Sequence, residues 1–351
     1  MKYNLRPLFR PKTMAVVGVS LANDRNPANA VFQKLLLRYP VEVFAVNPKG
    51  GRLQRETIYR RLSDIPVKID HVVIAVRAEN VPAVVMDCIQ AGAAGATIIS
   101  GGFSERGRQD LQARITRMAA AAEMPIIGPN CLGVYAPGRF DTFFLPGERL
   151  VQPAKGNVAM ISQSGGILVD QLVKFAGQGI GVSLAVSIGN KALIREIDIL
   201  AYLATDARTQ VIAFYIEGFA PNEGRLFVQA ATRCKKPVIV LKAGKTTSGG
   251  RAVASHTAAL AGDYDVFSQV MAQYGIAEAR NEYELISFCE ALSCYPRTIA
   301  GNVGIVTISG GHGALAVDTC RQHGLNVPPL NDALKALLRS QLNPRVQAIA
   351  S

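Results

Sequence analysis

Blocks of hydrophobic and polar positions alternate along the chain and predict strands followed by helices. In the first part, the predicted strands are residues 14–19, 41–46, 71–76, 96–100 and 125–127, and the predicted helices are residues 28–37, 81–91 and 105–122. The strands are apolar at nearly every position, which is typical of parallel strands covered on both faces. Their alternation with helices predicts one doubly wound α/β domain over residues 1–136.

The same pattern starts again after a break. Residues 137–153 carry Pro, Gly and charged residues without periodicity and are expected to be a linker. A second doubly wound parallel sheet is predicted for residues 154–296, with strands at 158–162, 182–188, 211–217 and 237–241. Residues 297–351 hold one predicted strand, 303–309, and two predicted helices, so we expect an incomplete third α/β domain.

Three predicted strands end in turns of small residues. These turns are Gly18-Val19-Ser20, residues 162–166 (Ser-Gln-Ser-Gly-Gly) and residues 309–313 (Ser-Gly-Gly-His-Gly). Such turns expose backbone N–H groups at a helix N-terminus, where phosphate is favoured. Small residues also occur there because strand-to-helix turns are tight, so each turn alone fits either interpretation. Arg25, on the polar loop after the first strand, suits a phosphate-rich ligand.

The second domain carries the sharper group of candidate residues. Glu217 stands at the end of a buried strand, and residues 244–262 are expected to form a long loop of small residues around His256. A histidine is a good phosphoryl acceptor when a carboxylate holds its other ring nitrogen. His256 as an ordinary loop histidine is the alternative interpretation.

The charge and composition of the chain limit the classes of partner that it could bind. The chain has 38 basic and 26 acidic residues, and residues 1–61 alone hold twelve basic residues against three acidic ones. A basic first domain points to an anionic partner. Nucleic acid is one interpretation, but no recognition-module signature is present, and a polyanionic small molecule fits as well. No apolar run is long enough to span a bilayer, and the N-terminus has no signal core. The six cysteines are scattered along the chain. We therefore expect a cytoplasmic protein with reduced thiols. No group of residues has metal-ligand spacing.

Four ordered motifs resemble a known family. They are Gly-Pro-Asn-Cys-Leu-Gly at 128–133, Ile-Ser-Gln-Ser-Gly-Gly at 161–166, Ile-Glu-Gly at 216–218 and Ser-His-Thr-Ala-Ala-Leu-Ala-Gly at 255–262. In this order they resemble the succinyl-CoA synthetase α-subunit superfamily, above all its NDP-forming acyl-CoA synthetase branch (acetate–CoA ligase, ADP-forming). The resemblance runs over about residues 8–351. It implies a Rossmann-like CoA-binding domain followed by a flavodoxin-like domain.

The resemblance also implies roles for particular residues. His256 would be the phosphorylated histidine and Glu217 the carboxylate that orients it. The phosphate site would be formed by Ser162, Ser164, Gly165, Gly166 and Asn130. The CoA site would include Gly18, Ser20, Lys49, Ser100, Gly101 and Gly102, together with Arg25. The family usually has glycine where this chain has Ala258, and it often has a glycine before the first helix that is absent here.

The implied reaction converts a small carboxylic acid, CoA and a nucleoside triphosphate into acyl-CoA, nucleoside diphosphate and phosphate, through an acyl phosphate and phosphohistidine. No ATP-grasp module is present in this sequence, so ATP or ADP and Mg²⁺ are expected only through an ATP-grasp partner, in an oligomer without nucleic acid or membrane. Two alternatives stay open: a non-catalytic CoA- or acyl-CoA-binding protein, either regulatory or a truncated relic, and a nicotinamide-dependent Rossmann enzyme. The missing third glycine and Asn47-Pro48-Lys49 at the second strand end disfavour the latter.

Overall fold

The computed structural model describes residues 3–53, 55–146, 150–257, 263–295 and 301–342, with the side chains of residues 254–257 outside that description. The chain divides into two compact units, Met1–Cys294 and Tyr295–Ser351. The first unit contains two seven-stranded sheets.

The first sheet has the strand order β3-β4-β2-β1-β5-β6-β7. All neighbouring strands in it are parallel except β3 and β4. The strands are β1 Thr13–Val17, β2 Glu42–Val46, β3 Gly51–Leu53, β4 Glu56–Tyr59, β5 His71–Ile74, β6 Ala96–Ile98 and β7 Ile126–Ile127. The helices are α1 Arg6–Phe9, α2 Pro27–Arg38, α3 Val81–Gln90 and α4 Gln109–Ala121.

Local sequence explains where these elements begin. Helix α2 starts at Pro27, whose missing N–H costs nothing in the first turn, and the side chain of Asn26 accepts the N–H of Ala28 at 2.8 Å. Strand β5 is buried at all four positions. Its one polar residue, His71, lies with Nε2 2.8 Å from Oγ1 of Thr97, so it is a structural histidine of the core.

The second sheet has the strand order β14-β13-β12-β10-β11-β8-β9. Strands β10 to β14 are parallel, and β8 and β9 continue the sheet in antiparallel fashion. The strands are β8 Val134–Ala136, β9 Phe140–Asp141, β10 Lys155–Ser162, β11 Val182–Ser187, β12 Val211–Ile216, β13 Val238–Lys242 and β14 Ala277–Ala279. The helices are α5 Gly165–Gly177, α6 Glu196–Thr205, α7 Glu223–Arg233, α8 Thr247–Thr257, α9 Tyr264–Gln273 and α10 Glu282–Cys294.

The expected linker 137–153 is in part sheet. Strand β9 lies within it, and β8 before it already pairs with the second sheet. The buried Asp141 at the end of β9 lies 2.8 Å from Nζ of Lys34 on α2, which ties this segment to the first domain. The domain boundaries at 136 and 153 stay predictions, although the polypeptide changes sheets before residue 136.

Two other expectations were wrong about regular structure. The segment 244–262 is not a loop throughout, because residues 247–257 form helix α8; Oγ1 of Thr246 accepts the N–H of Gly249 at 3.0 Å at its start. In the second unit, residues 303–309 do not form a strand; only an isolated bridge joins Asn302 to Asn326. Helices α11 Gly310–Gln322 and α12 Asp332–Gln341 are present.

The described residues give two further findings. None of their helices is both long enough and apolar enough to cross a membrane. The six cysteines are free thiols, and Cys88, Cys131 and Cys289 are buried.

Candidate functional site

Both sheets have a topological switch point, and several of the predicted site residues lie there. In the first sheet the chain leaves β1 for β2 on one side and later returns to β5 on the other. In the second sheet it leaves β10 for β11 and returns to β12. Ligands of open α/β sheets bind in the crevice at the carboxyl ends of such strands. Gly18 follows β1, and Ser162 and Glu217 mark the ends of β10 and β12.

Gly18 has to be glycine for steric reasons. Its φ is +108°, and a Cβ there would press on the carbonyl oxygen of Ala75 and lie 2.9 Å from the carbonyl carbon. The absence of a side chain lets β1 and β5 end side by side and leaves the turn open.

The loop after β1 is held by asparagines that sequence reasoning missed. The N–H of Ser20 donates to Oδ1 of Asn29 at 2.7 Å, and Nδ2 of Asn29 returns a bond to the carbonyl of Ser20 at 2.8 Å. Nδ2 of Asn47 donates to the carbonyl of Val19 at 2.7 Å, and its Oδ1 accepts the N–H of Lys49 at 2.9 Å. The side chain of Lys49 is exposed at this carboxyl edge. Asn29 is fully buried, which is a signal only a structure reveals.

Arg25 lies on this loop, two residues before α2 begins. Its side chain is exposed and lines an open cavity of about 730 Å³, whose other lining residues include Gln33, Arg38 and Phe144.

The turn after β6 is occupied by a carboxylate. Oε1 of Glu105 accepts the N–H groups of Gly102 and Phe103, the latter at 3.1 Å. Burial opposes ionisation of Glu105, but the hydrogen bonds from Asn190 and from these N–H groups outweigh it, so the pKa of this carboxyl lies below its usual value. The N–H of Gly102, a residue predicted to belong to the CoA site, is thus already paired, while Gly101 is exposed.

Asn130 joins this turn to the second domain. Its N–H donates to the carbonyl of Ser100 at 2.8 Å, and its Nδ2 donates to Oδ1 of Asn190 at 3.2 Å. Asn190, on the loop after β11, donates in turn to Oε2 of Glu105 at 2.6 Å. The structure therefore brings Ser100, Gly101, Gly102 and Asn130 together at the boundary between the two sheets.

The residues after β10 are arranged in a way that suits an anion-binding site. Ser164 is the N-cap of α5, and its Oγ accepts the N–H of Ile167 at 3.4 Å. Gly165 and Gly166 occupy the first two helical positions, whose N–H groups have no acceptor within a helix. A Cβ on Gly165 would lie 3.1 Å from Leu132, whereas Gly166 has only Oγ of Ser164 nearby, at 3.9 Å. The backbone of Gly166 is therefore open to a ligand.

Glu217 lies beside this turn, because β12 pairs with β10 and Ser162 is in register with Tyr215. The residue is 4% exposed. Burial, together with the Glu217 carboxylate, raises the pKa of Tyr215 to about 12. Lys242 at the end of β13 donates from Nζ to the carbonyl of Glu217 at 2.8 Å, and burial lowers the pKa of its ammonium. The contact of Lys242 with Glu217 was not predicted, because its position in the sequence indicates only the end of a strand.

His256 lies in the last turn of helix α8, and its side chain is outside the described residues. Helix α8 follows β13, the neighbour of β12, so it leaves the same carboxyl edge as Glu217. The helix lies against the turn Ser104–Arg106, next to Gly102. Within the residues described, no three His, Cys, Asp or Glu side chains are grouped to hold a metal ion.

Comparison with known proteins identifies both domains. Residues 12–137 match a CoA binding domain, and residues 155–292 match the succinyl-CoA ligase like flavodoxin domain. The two matches define an α/β protein of the CoA-ligase class. The acetate–CoA ligase [ADP-forming] I of Archaeoglobus fulgidus is 37% identical over 92% of this chain and 47% of its own length. The α subunit of acetate–CoA ligase [ADP-forming] I from Pyrococcus furiosus is 36% identical over 92% of this chain and 71% of its own length.

A solved structure gives the same result. The Ca. Korarchaeum cryptofilum dinucleotide forming acetyl-coenzyme A synthetase 1, in complex with phosphate and ADP, superposes with a TM-score of 0.87 at 34% identity, over 98% of this chain and 74% of that one. The chain belongs to the family of ADP-forming acetate–CoA ligases, in its α-subunit part. This confirms the resemblance and the α/β fold predicted from the sequence. The chain spans about half of the length of the Archaeoglobus relative.

Proposed function

We propose that this chain is the CoA-binding α-type subunit, or the corresponding portion, of an NDP-forming acyl-CoA synthetase. The reaction converts a small carboxylic acid, CoA and a nucleoside triphosphate into acyl-CoA, nucleoside diphosphate and phosphate. An ATP-grasp partner supplies the site for ATP or ADP and Mg²⁺. The proposal places the protein in the cytoplasm, which its six free cysteines support.

One observation carries the proposal: the Ser162–Gly166 turn and Glu217 occupy the same switch point. The N–H groups of Gly165 and Gly166, at the positive end of α5, suit a phosphoryl group. Glu217 suits the orientation of an imidazole that carries a phosphoryl group. The His256 helix leaves the neighbouring strand of that sheet.

The chemistry in the direction of ATP formation has two steps on this chain. Inorganic phosphate, held at the α5 N-terminus, attacks the thioester carbonyl carbon of acyl-CoA; the C–S bond breaks and acyl phosphate and the CoA thiol result. A ring nitrogen of His256 then attacks phosphorus, the bond from phosphorus to the acyl oxygen breaks, and the carboxylic acid leaves as its carboxylate. The backbone N–H groups stabilise charge on the phosphoryl oxygens. The phosphohistidine passes its phosphoryl group to the nucleoside diphosphate on the partner.

CoA is placed at the carboxyl edge of the first sheet. Gly18 and Ser20 form the turn after β1, and Lys49 lies exposed after β2. The excess of basic residues in the first domain suits the phosphate groups of CoA. The turn Ser100–Gly102 closely precedes Ser104–Arg106, which contacts α8, and it is proposed to lie near the reactive end of CoA.

Phosphohistidine labelling tests this function. The protein is incubated with acetyl-CoA and [³²P]phosphate, and separately with [γ-³²P]ATP, each time with and without an ATP-grasp subunit. Base-stable, acid-labile label is expected, and it requires the partner. It should vanish in His256→Asn and persist in the matched control His312→Asn, because His312 is exposed on α11.

Glu217→Gln is expected to slow labelling by about 10²-fold or more, since it removes the charge that orients the imidazolium. Label that survives in His256→Asn would refute the phosphohistidine. CoA binding without any label would favour the non-catalytic CoA-binding alternative, and preferential NADH binding would favour a nicotinamide enzyme.

A further inference from the structure

Gln163 connects the two halves of the proposed phosphoryl site. The residue lies between Ser162 and Ser164 and is 5% exposed. Its side-chain Oε1 accepts the N–H of Glu217 at 2.7 Å and the N–H of Gly218 at 3.2 Å. Its Nε2 donates to the carbonyl of Gly218 at 2.8 Å. One buried amide therefore holds both peptide groups at the end of β12 against the turn that begins α5.

A buried charged cluster holds the amide in place. Nε2 of Gln163 also donates to Oε1 of Glu196, which is fully buried at the start of α6. Nζ of Lys191 lies 2.9 Å from the same Oε1 and donates to the carbonyl of Gly218 at 2.7 Å. Lys191 also lies 3.5 Å from Oε2 of Glu223, which accepts the N–H of Ala220 at 2.8 Å. These contacts fix the path of residues 217–220 from two sides.

The pattern of partners requires an amide at position 163. Two N–H groups need an acceptor, whereas a carbonyl and a carboxylate need a donor. A carboxylate would face Glu196 with like charge, and an ammonium would leave the N–H groups of Glu217 and Gly218 without an acceptor. A hydrophobic side chain would leave the buried N–H groups of Glu217 and Gly218 without an acceptor, although Lys191 would still donate to the carbonyl of Gly218.

We propose that Gln163 is a positioning residue for phosphoryl transfer, which it serves by setting the position of the Glu217 carboxylate relative to the Ser162–Gly166 turn. The Lys191–Glu196–Glu223 cluster keeps Gln163 in the required orientation. This inference rests on the proposed function. It adds a residue that touches neither phosphate nor CoA and acts through the backbone of Glu217.

The test uses Gln163→Met, which keeps the length and removes both polar atoms. The matched control is Gln171→Met on α5, because Gln171 is also fully buried and its amide has no hydrogen-bond partner among the described residues. Labelling from acetyl-CoA and [³²P]phosphate should slow by about 10²-fold in Gln163→Met, the size expected from a misplacement of about 1 Å. The dissociation constant for CoA should stay at the wild-type value, and Gln171→Met should label like wild type.

Amide hydrogen exchange tests the geometry without activity. In Gln163→Met the N–H groups of Glu217 and Gly218 should exchange at least about 10-fold faster, while β10 and β11 keep their protection. The labelling rate of Gln163→Glu is measured as a function of pH. The introduced carboxyl faces Glu196, and Lys191, Glu217 and Glu223 are the other charged groups around it. Its labelling rate relative to wild type should rise as the pH falls, because the protonated carboxyl can donate again.

The outcomes separate the two proposals. Wild-type labelling in Gln163→Met, or unchanged exchange at Glu217 and Gly218, would overturn the positioning role. Equal slowing in Gln171→Met would show a general packing effect and would also overturn it. If the wild-type protein itself carries no label, the proposed function fails and the positioning role of Gln163 in phosphoryl transfer fails with it, while the exchange data still test its hydrogen bonds to Glu217 and Gly218.

Discussion

The buried ion pair between Lys34 and Asp141 joins helix α2 to the second sheet, and the loss of either partner is expected to destabilise the protein. Nζ of Lys34 on α2 lies 2.8 Å from Oδ2 of Asp141 and donates to the carbonyl of Phe143 at 2.6 Å. The side chains are 5% and 0% exposed. Oδ1 of Asp141 accepts the N–H of Phe143 at 2.8 Å, and Oδ2 accepts a bond from Gln152 at 2.6 Å. Burial lowers the pKa of Lys34 and raises that of Asp141, so either charge alone is strongly disfavoured here.

Lys34→Met or Asp141→Asn should each lower the free energy of unfolding by about 3–5 kcal/mol, because each leaves a buried charge without its partner. This is a large share of the roughly 5–15 kcal/mol typical of a folded protein. The double variant should lose less than the sum of the two single losses, with a coupling of at least about 2 kcal/mol.

Urea denaturation followed by circular dichroism measures these free energies. Arg108→Ala is the control, since the pair of Arg108 with Glu79 is exposed and its loss should leave the midpoint near that of wild type. Strictly additive losses from Lys34→Met and Asp141→Asn would refute the argument, because they would show that the two charges do not depend on each other.

Two more perturbations follow from the first sheet. Gly18→Ala should destabilise the protein by at least about 2 kcal/mol and abolish CoA binding, because φ is positive and the added Cβ clashes with Ala75. Gly92→Ala is the control: its φ is also positive, but an added Cβ meets no atom within 4 Å, so this variant should lose less stability and keep CoA binding. Burial lowers the pKa of His71 to about 3, whereas the unfolded-state value is about 6.5. Above pH 6.5 the imidazole is neutral in both states, so the stability does not depend on its protonation. As the pH drops from 6.5 towards 3, only the unfolded state takes up the proton, and the free energy of unfolding falls by roughly 1.4 kcal/mol per pH unit. His71→Gln should remove that slope in denaturation curves taken across this range and the exposed His323→Gln should not; an unchanged slope in His71→Gln would contradict the assignment.

The sequence was most informative where local chemistry decides the structure. Strands such as His71–Ile74 are buried throughout and apolar after the first residue, and the turn at Ser162–Gly166 combines an N-cap with two glycines. Both patterns depend on neighbours in the chain, so the strand-turn-helix order and the position of Glu217 at a strand end could be predicted. The switch points follow from the order of strands, and they place Ser162 next to Tyr215 and Glu217.

The wrong secondary-structure predictions concern segments whose conformation depends on residues distant in the sequence. Residues 303–309 have the composition of a buried strand, yet a strand exists only when its backbone groups are paired. No neighbouring strand is present for them among residues 301–342, and Val306 and Ile308 are fully exposed. Helix α8 was missed for the opposite reason: glycines suggested a loop, but Arg251, Ala252 and Val253 continue the helix that begins after Thr246.

Gln163 shows why the support of a site is harder to predict than the site itself. In the sequence it is a polar residue between two serines, and its proposed role depends on Glu217, which follows 54 residues later, and on Glu196, 33 residues later. Neither spacing carries a signal, because the three residues meet only after β10 and β12 become neighbours across the switch point. The residues that would touch phosphate can be read from a local motif, whereas the amide that would set their relative positions becomes visible only once the sheet has formed. A variant at position 163 is therefore expected to disturb the relation between two strand ends while each end keeps its own local structure.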